Sequence, residues 1–185
     1  MNLFKNFFGS KKSFSLILIE SQNNIFKRFG VARPTDAQRM RSFFYLCITG
    51  IAIINCSTNN TKRSDVIDNL MEDVKELVKP ILIDSCELAI DKEDLKKVML
   101  YLQRNYSIKE PTTINGLLAF EALYYALGRD WIESIYNNAK GPLGAMGYAA
   151  FIVAHGVFGQ EKAEKNSMGI LEDFYTFIKE LTKTI

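Results

Sequence analysis

The stretch Lys140–Gly159, KGPLGAMGYAAFIVAHGVFG, decides the fold. Between Lys140 and Glu161 it carries no formal charge apart from any proton on His155, the only histidine in the chain. A helix that is apolar on every face must be surrounded by protein or by lipid. Gly141-Pro142 opens the segment as a helix in a soluble domain opens, with proline in the first turn where its missing N–H removes no bond. The glycines and alanines that follow suit close packing. A partner of the same character exists at Phe43–Ile54, FFYLCITGIAII. That run falls short of the roughly 18 apolar residues a membrane span needs, and the polar NCSTNNT, Asn55 to Thr61, follows it. The two segments therefore predict the centre of a helical bundle.

Length and composition agree. At 185 residues, with 48% hydrophobic and 24% charged residues, the chain fits one domain with a substantial core. Four prolines and 11 glycines leave long uninterrupted segments, which favour helices over a many-turned β sandwich. The expected fold is all-α: a single-domain bundle of about seven or eight helices around a buried apolar pair. Residues 1–30 are set off as a basic amphipathic N-terminal arm or helix, and 31–185 as the bundle.

Local signals place the elements. Phe14, Ile17, Leu18, Ile25, Phe26 and Phe29 form one helical face that Gly30 ends. The run Leu16 to Ile19 would also suit a strand, but no second convincing strand accompanies it. Thr35 and Gln38 form a capping box for a helix reaching about Asn55 or Cys56. Ser64 is expected to cap the next, whose seam is Ile67, Leu70, Val74, Leu77 and Ile81, broken by Pro80. Leu82, Cys86 and Ala89 read as a continued apolar face. Asp91 opens a helix ending near Asn105. Thr112 or Thr113 is expected to cap the next helix and Gly128 to stop it. Asp130 then caps a short helix, Trp131 to Asn138, and the last helix runs from Glu161 or Ser167 to Thr184.

Charge is distributed unevenly. Residues 1–41 hold eight basic side chains against Glu20 and Asp36, a net +6, so the overall +2 leaves −4 for the remainder. Within that front end, Leu3, Phe4, Phe7 and Phe8 lie at helical spacing beside Lys5, Lys11 and Lys12, a pattern suited to an anionic membrane surface or an acidic partner. The Phe14–Ile19 run is too short for a secretory h-region and lacks a small-x-small cleavage site.

Cys47, Cys56 and Cys86 form no CxxC pair, so neither a zinc site nor a disulfide framework is expected, and a reducing, cytoplasmic setting suits them. There is no P-loop, GxGxxG, HExxH, GxSxG or EF-hand loop, and no zinc-finger or RRM signature. No cofactor or metal is expected, and nucleic acid is disfavoured as a partner.

Two polar residues on apolar surfaces stand out as candidate catalytic groups. Glu121 projects among Ile114, Leu117, Leu118 and Tyr125, where a carboxylate needs a cation, hydrogen-bond donors or a proton. His155 shares a face with Tyr148 and Gly144. Tyr148, Tyr125 and Trp131 are candidate ligand-binding residues, and Tyr124 and Tyr136 extend the aromatic set. The leading expectation is a non-catalytic helical interaction module, an adaptor, chaperone or regulatory protein, with a protein partner and peripheral membrane contact through the arm. A homodimer through the Ile67–Ile81 seam is a further arrangement. The alternative is a small-molecule-binding or enzymatic domain with a pocket near Glu121 and His155.

Overall fold

The computed structural model describes residues 13–57, 63–138 and 142–184. The arm residues Leu3, Phe4, Lys5, Phe7, Phe8, Lys11 and Lys12 lie outside them. In chain order the elements are α1 (Phe14–Arg28), α2 (Asp36–Ser57), α3 (Arg63–Val78), β1 (Leu82–Asp84), a 3-10 turn (Ser85–Glu87), α4 (Lys92–Tyr106) and β2 (Thr113–Asn115). Then come α5 (Gly116–Leu123), a π-helical turn (Tyr124–Gly128), α6 (Arg129–Asn138), α7 (Pro142–Phe158), α8 (Gln160–Lys165) and α9 (Ser167–Thr184). The architecture is an all-α bundle with one small β ladder.

Its axis is α2, buried without interruption from Met40 to Ile54. The helix expected as its partner, α7, packs along it, and α1, α3, α5, α6 and α9 also touch it. Ala149, Ala150, Val153 and Ala154 on α7 are buried. Their small side chains let the two backbones approach, while Phe44, Leu46, Ile48 and Ile54 fill the space toward the other helices. Fully burying side chains of that size contributes about 1.5–3 kcal/mol each. The ring of Tyr45 lies over Gly156, where any Cβ would collide with it, and packs edge-on to Trp131 of α6. Among the described residues no helix is long and apolar enough to cross a membrane.

Most polar groups of α2 find partners, Arg41 Nε being a buried exception. Thr49 Oγ1 donates to the Tyr45 and Leu46 carbonyls at 2.8 and 3.0 Å. Arg41, also buried, donates to the Glu87 carbonyl and, at 3.4 Å, to that of Val157. Its guanidinium thus meets the negative end of the α7 dipole. Burial nevertheless pulls the Arg41 pKa below its ordinary value, because a charge out of water is costly.

Several local signals act as read. The Thr35 hydroxyl accepts from Gln38 N at 3.1 Å, and the Gln38 side chain accepts from Thr35 N at 3.0 Å, a reciprocal capping box. Gly30 adopts φ +68° just past α1, and Asp91 caps α4. Residues 14–28, the second half of the segment set off at residue 30, belong to the same core, since Ile17, Leu18, Ile25 and Phe26 are buried. α1 packs against α9 and α3.

Other expectations are corrected. Leu82 to Ile90 is not a helical continuation. α3 ends at Val78, Leu82–Asp84 pairs antiparallel with Thr113–Asn115, and Ile83 faces Ile114 in the register. Leu82 is accordingly 63% exposed. Strands of three residues are too short to show an alternation in sequence. The cap of α5 is Asn115, whose side chain accepts from Leu118 N at 2.9 Å, and Thr113 is in the strand. Ser64 lies inside the first turn of α3.

Nor does Gly128 stop a helix. The chain continues through a π turn, which holds one extra residue per turn, directly into α6. Gly128 is there for space: a Cβ would stand 3.2 Å from the Tyr124 ring and 3.7 Å from Ile48. Within the seam of α3, Leu70 and Val74 are fully buried against the body of the protein, so these positions are occupied inside the fold. The C-terminal segment divides at Asn166 into α8 and α9. There Phe174, Phe177, Ile178 and Leu181 face the core and Leu171 does not.

Candidate functional site

Two clefts hold the candidate residues, and a third holds none of them. Glu121 and Tyr125 come together in the first, between α3 and α5, a space of about 450 Å³ lined also by Met71, Lys75, Leu117, Phe120 and Tyr124. Glu121, Tyr124 and Tyr125 share it because they sit three and four residues apart on a helix. The carboxylate has the donors its position demands. Tyr101 OH donates to Glu121 Oε1 at 3.0 Å, and Tyr106 OH donates to the same oxygen. Both phenols titrate above their ordinary value. Tyr101 is pushed up to about 12 by burial first and then by the bond to Glu121, whereas for Tyr106 the bond to Glu121 is the larger cause. Both therefore remain donors at neutral pH.

That geometry predicts an alkaline weakening of the fold. As pH rises from about 10 to about 12 the unfolded chain gives up the Tyr101 proton while the folded chain keeps it, so unfolding is favoured progressively. Urea denaturation across that range should show falling stability, with a shallower fall in Tyr101→Phe. Tyr45, Tyr106 and Tyr124 are shifted in the same direction, so the slope is reduced and not abolished. An identical slope in the variant would refute the assignment.

The second cleft unites Trp131, Tyr148 and His155 with Phe151, Ile152 and Gln160 in about 210 Å³. The His155 ring stacks on Phe151 at 6.0 Å, and Tyr148 OH bonds Ser134 Oγ at 2.9 Å. Among the described residues no carboxylate lines this cleft. Glu121 and His155 thus stand in separate clefts whose linings share no residue. Tyr136 lines neither, so the aromatic set divides by location.

The third cleft, the largest of these three, holds about 750 Å³ between α1, the loop after it, the first turns of α2 and the end of α3. Ile19, Phe26, Val31, Pro34, Phe43 and Ile81 supply apolar wall, and Gln22, Asn23, Lys27 and Arg39 the polar part. Most of its polar floor is satisfied internally. Gln22 Nε2 donates to Ser42 Oγ at 2.5 Å and to the Arg39 carbonyl at 3.3 Å, and Ser42 Oγ donates to the same carbonyl at 2.8 Å. Lys27 and Arg39 contribute two positive charges to the rim, and among the described residues no acid lines the cleft. Neither has an ion-pair partner among the described residues. Their neighbour Arg28, by contrast, is held by Asp173 and Glu172.

Sequence reading missed this third cleft as a site. Its signal was the +6 of residues 1–41, of which Lys27 and Arg39 are part. It also missed Tyr101 and Tyr106, which lie 20 and 15 residues from Glu121 with no local pattern linking them. Cys47 and Cys86 are free thiols, and burial pushes Cys47 well above the ordinary thiol range. Among the described residues no cluster of three or more His, Cys, Asp or Glu side chains could hold a metal ion.

Comparison with protein-family models, with curated proteins and with solved structures found no match to this chain.

Proposed function

We propose that the protein is a non-catalytic helical interaction module whose α1–α2–α3 cleft receives an apolar, acidic segment of a partner protein. The observation that carries this reading is the pair Lys27 and Arg39, without an ion-pair partner among the described residues at the rim of a cleft whose other polar lining, Gln22 and Asn23, is uncharged. An amphipathic helix laid in such a groove buries its apolar face against Ile19, Phe26 and Phe43 and brings its carboxylates to the two cations. Leu16 and Ile19, both exposed on α1, lengthen the apolar strip. Charge complementarity of this kind steers encounter and rejects basic sequences more than it adds affinity.

A displayed peptide library selected on the full chain provides the test. Enriched sequences are expected to combine Leu, Ile or Phe with Asp or Glu. Their affinity should fall at least about tenfold in Lys27→Glu/Arg39→Glu, in line with the cost of juxtaposing like charges. It should also weaken with added salt. Enrichment of basic or uncharged peptides, or binding indifferent to the double reversal, would overturn the proposal.

A further inference from the structure

The cleft between α3 and α5 has a chemistry of its own, independent of the peptide groove. Tyr124 and Tyr125 meet with ring centroids 5.6 Å apart and planes at 85°, so their faces form a corner. Each ring has a further aromatic neighbour. Phe120 stacks on Tyr124 at 6.1 Å, and Tyr101 stacks on Tyr125 at 5.8 Å with planes 12° apart. Tyr125 is nevertheless 66% exposed, and Leu117 beside it is exposed as well, so a rigid aromatic wall stands open to solvent.

Charge completes the description. Glu121 lies one helical turn before Tyr125 on the same lining. Its Oε1 takes both tyrosine hydroxyls, and no described residue donates to Oε2. Lys75 is held by the Glu72 carboxylate at 2.6 Å, so its charge is offset and that of Glu121 is not. The Met71 side chain adds a soft, polarizable part to the lining. Two π faces at right angles beside an unbalanced carboxylate match a cation whose charge is spread over methyl groups, since ring quadrupoles attract such ions without demanding hydrogen bonds. An anion would meet Glu121, and a neutral apolar ligand would leave its free oxygen unpaired.

We infer that the cleft formed by Met71, Glu121, Tyr124 and Tyr125 binds a trimethylammonium group. At about 450 Å³ it has room for that group and a short attached chain. The same group occurs in free choline and in phosphatidylcholine headgroups, and the chemistry of the corner serves both.

Titration of the full chain with choline, followed by tyrosine fluorescence and by NMR, tests the site. Choline should saturate and should bind about tenfold or more tighter than its neutral isostere, in which carbon replaces the nitrogen. Tyr125→Leu, which keeps apolar bulk and removes a π face, should lose about tenfold in affinity, and Tyr125→Phe should retain it. Glu121→Gln, whose carbonyl still accepts from both tyrosines, should weaken choline and leave the isostere unchanged. Sedimentation with phosphatidylcholine vesicles, competed by free choline, assigns the group to the headgroup. Choline binding without sedimentation assigns it to the soluble amine. Absence of saturation, equal binding of the isostere, or unaltered affinity in Tyr125→Leu would overturn the inference.

Discussion

Gly116→Ala is expected to destabilise the protein by about 3 kcal/mol or more, the upper range for forcing extra volume into a packed interior. Gly116 is the first residue of α5, and a Cβ there would land on the Val78 carbonyl oxygen, with the Val78 carbonyl carbon at 2.8 Å and Ile81 Cβ at 3.2 Å. The obstacle is backbone, fixed because Val78 O accepts from Ile81 N at 2.9 Å and Gly116 N donates to the Ile81 carbonyl at 2.8 Å. Replacing glycine by alanine in a helix ordinarily gains up to about 1 kcal/mol, which this collision exceeds. Thermal unfolding should move down by about 6–12 °C, at roughly 2–4 °C per kcal/mol for a chain of this size. A melting temperature equal to or above that of the parent would show that α3 and α5 do not approach as closely as described. Loss of soluble protein would be the same effect in stronger form.

The second large effect belongs to Gly156. A Cβ at this position would strike three carbons of the Tyr45 ring. That ring is confined, since it is buried and lies edge-on to Phe44 and Trp131. Gly156→Ala should therefore cost about 2 kcal/mol even after the helix-propensity gain. The penalty should shrink in a Tyr45→Leu background, where the aromatic ring is gone; an unchanged penalty there would break the link between the two residues. Gly144, in the same helix, has nothing within 4 Å of its would-be Cβ. Gly144→Ala is thus expected to raise stability by about 0.5 kcal/mol. Opposite signs from two glycines of α7 under one denaturation protocol test the packing of α2 on α7 directly.

These glycines also mark how far the sequence could be read. Gly30, Thr35 with Gln38, and Asp91 act through atoms within a few residues of themselves, so residue type and spacing sufficed to assign them. Gly116 and Gly156 act through Val78 and Tyr45, and nothing in the local pattern distinguishes them from Gly144. Gly128 was misread as a helix stop, whereas the chain runs on through the π turn into α6. The β ladder joins segments about 30 residues apart in register, Leu82 with Asn115, and its strands were invisible singly.

The candidate sites follow the same division. That Glu121 required donors was legible, because a carboxylate amid apolar neighbours must be compensated. That the donors are Tyr101 and Tyr106 depended on α4 crossing α5. Lys27 and Arg39 belong to different helices, and only the packing of α1 on α2 brings them to one rim.

Hydrophobic patterning along Lys140–Gly159 and Phe43–Ile54 determined by itself that the chain is an all-α bundle built on two central helices, because burial of uninterrupted apolar surface admits few other arrangements. Which side chains meet, which glycine is indispensable, and which charges remain unpaired were decided by tertiary structure. Those properties depend on distances between residues remote in sequence, which periodicity does not encode.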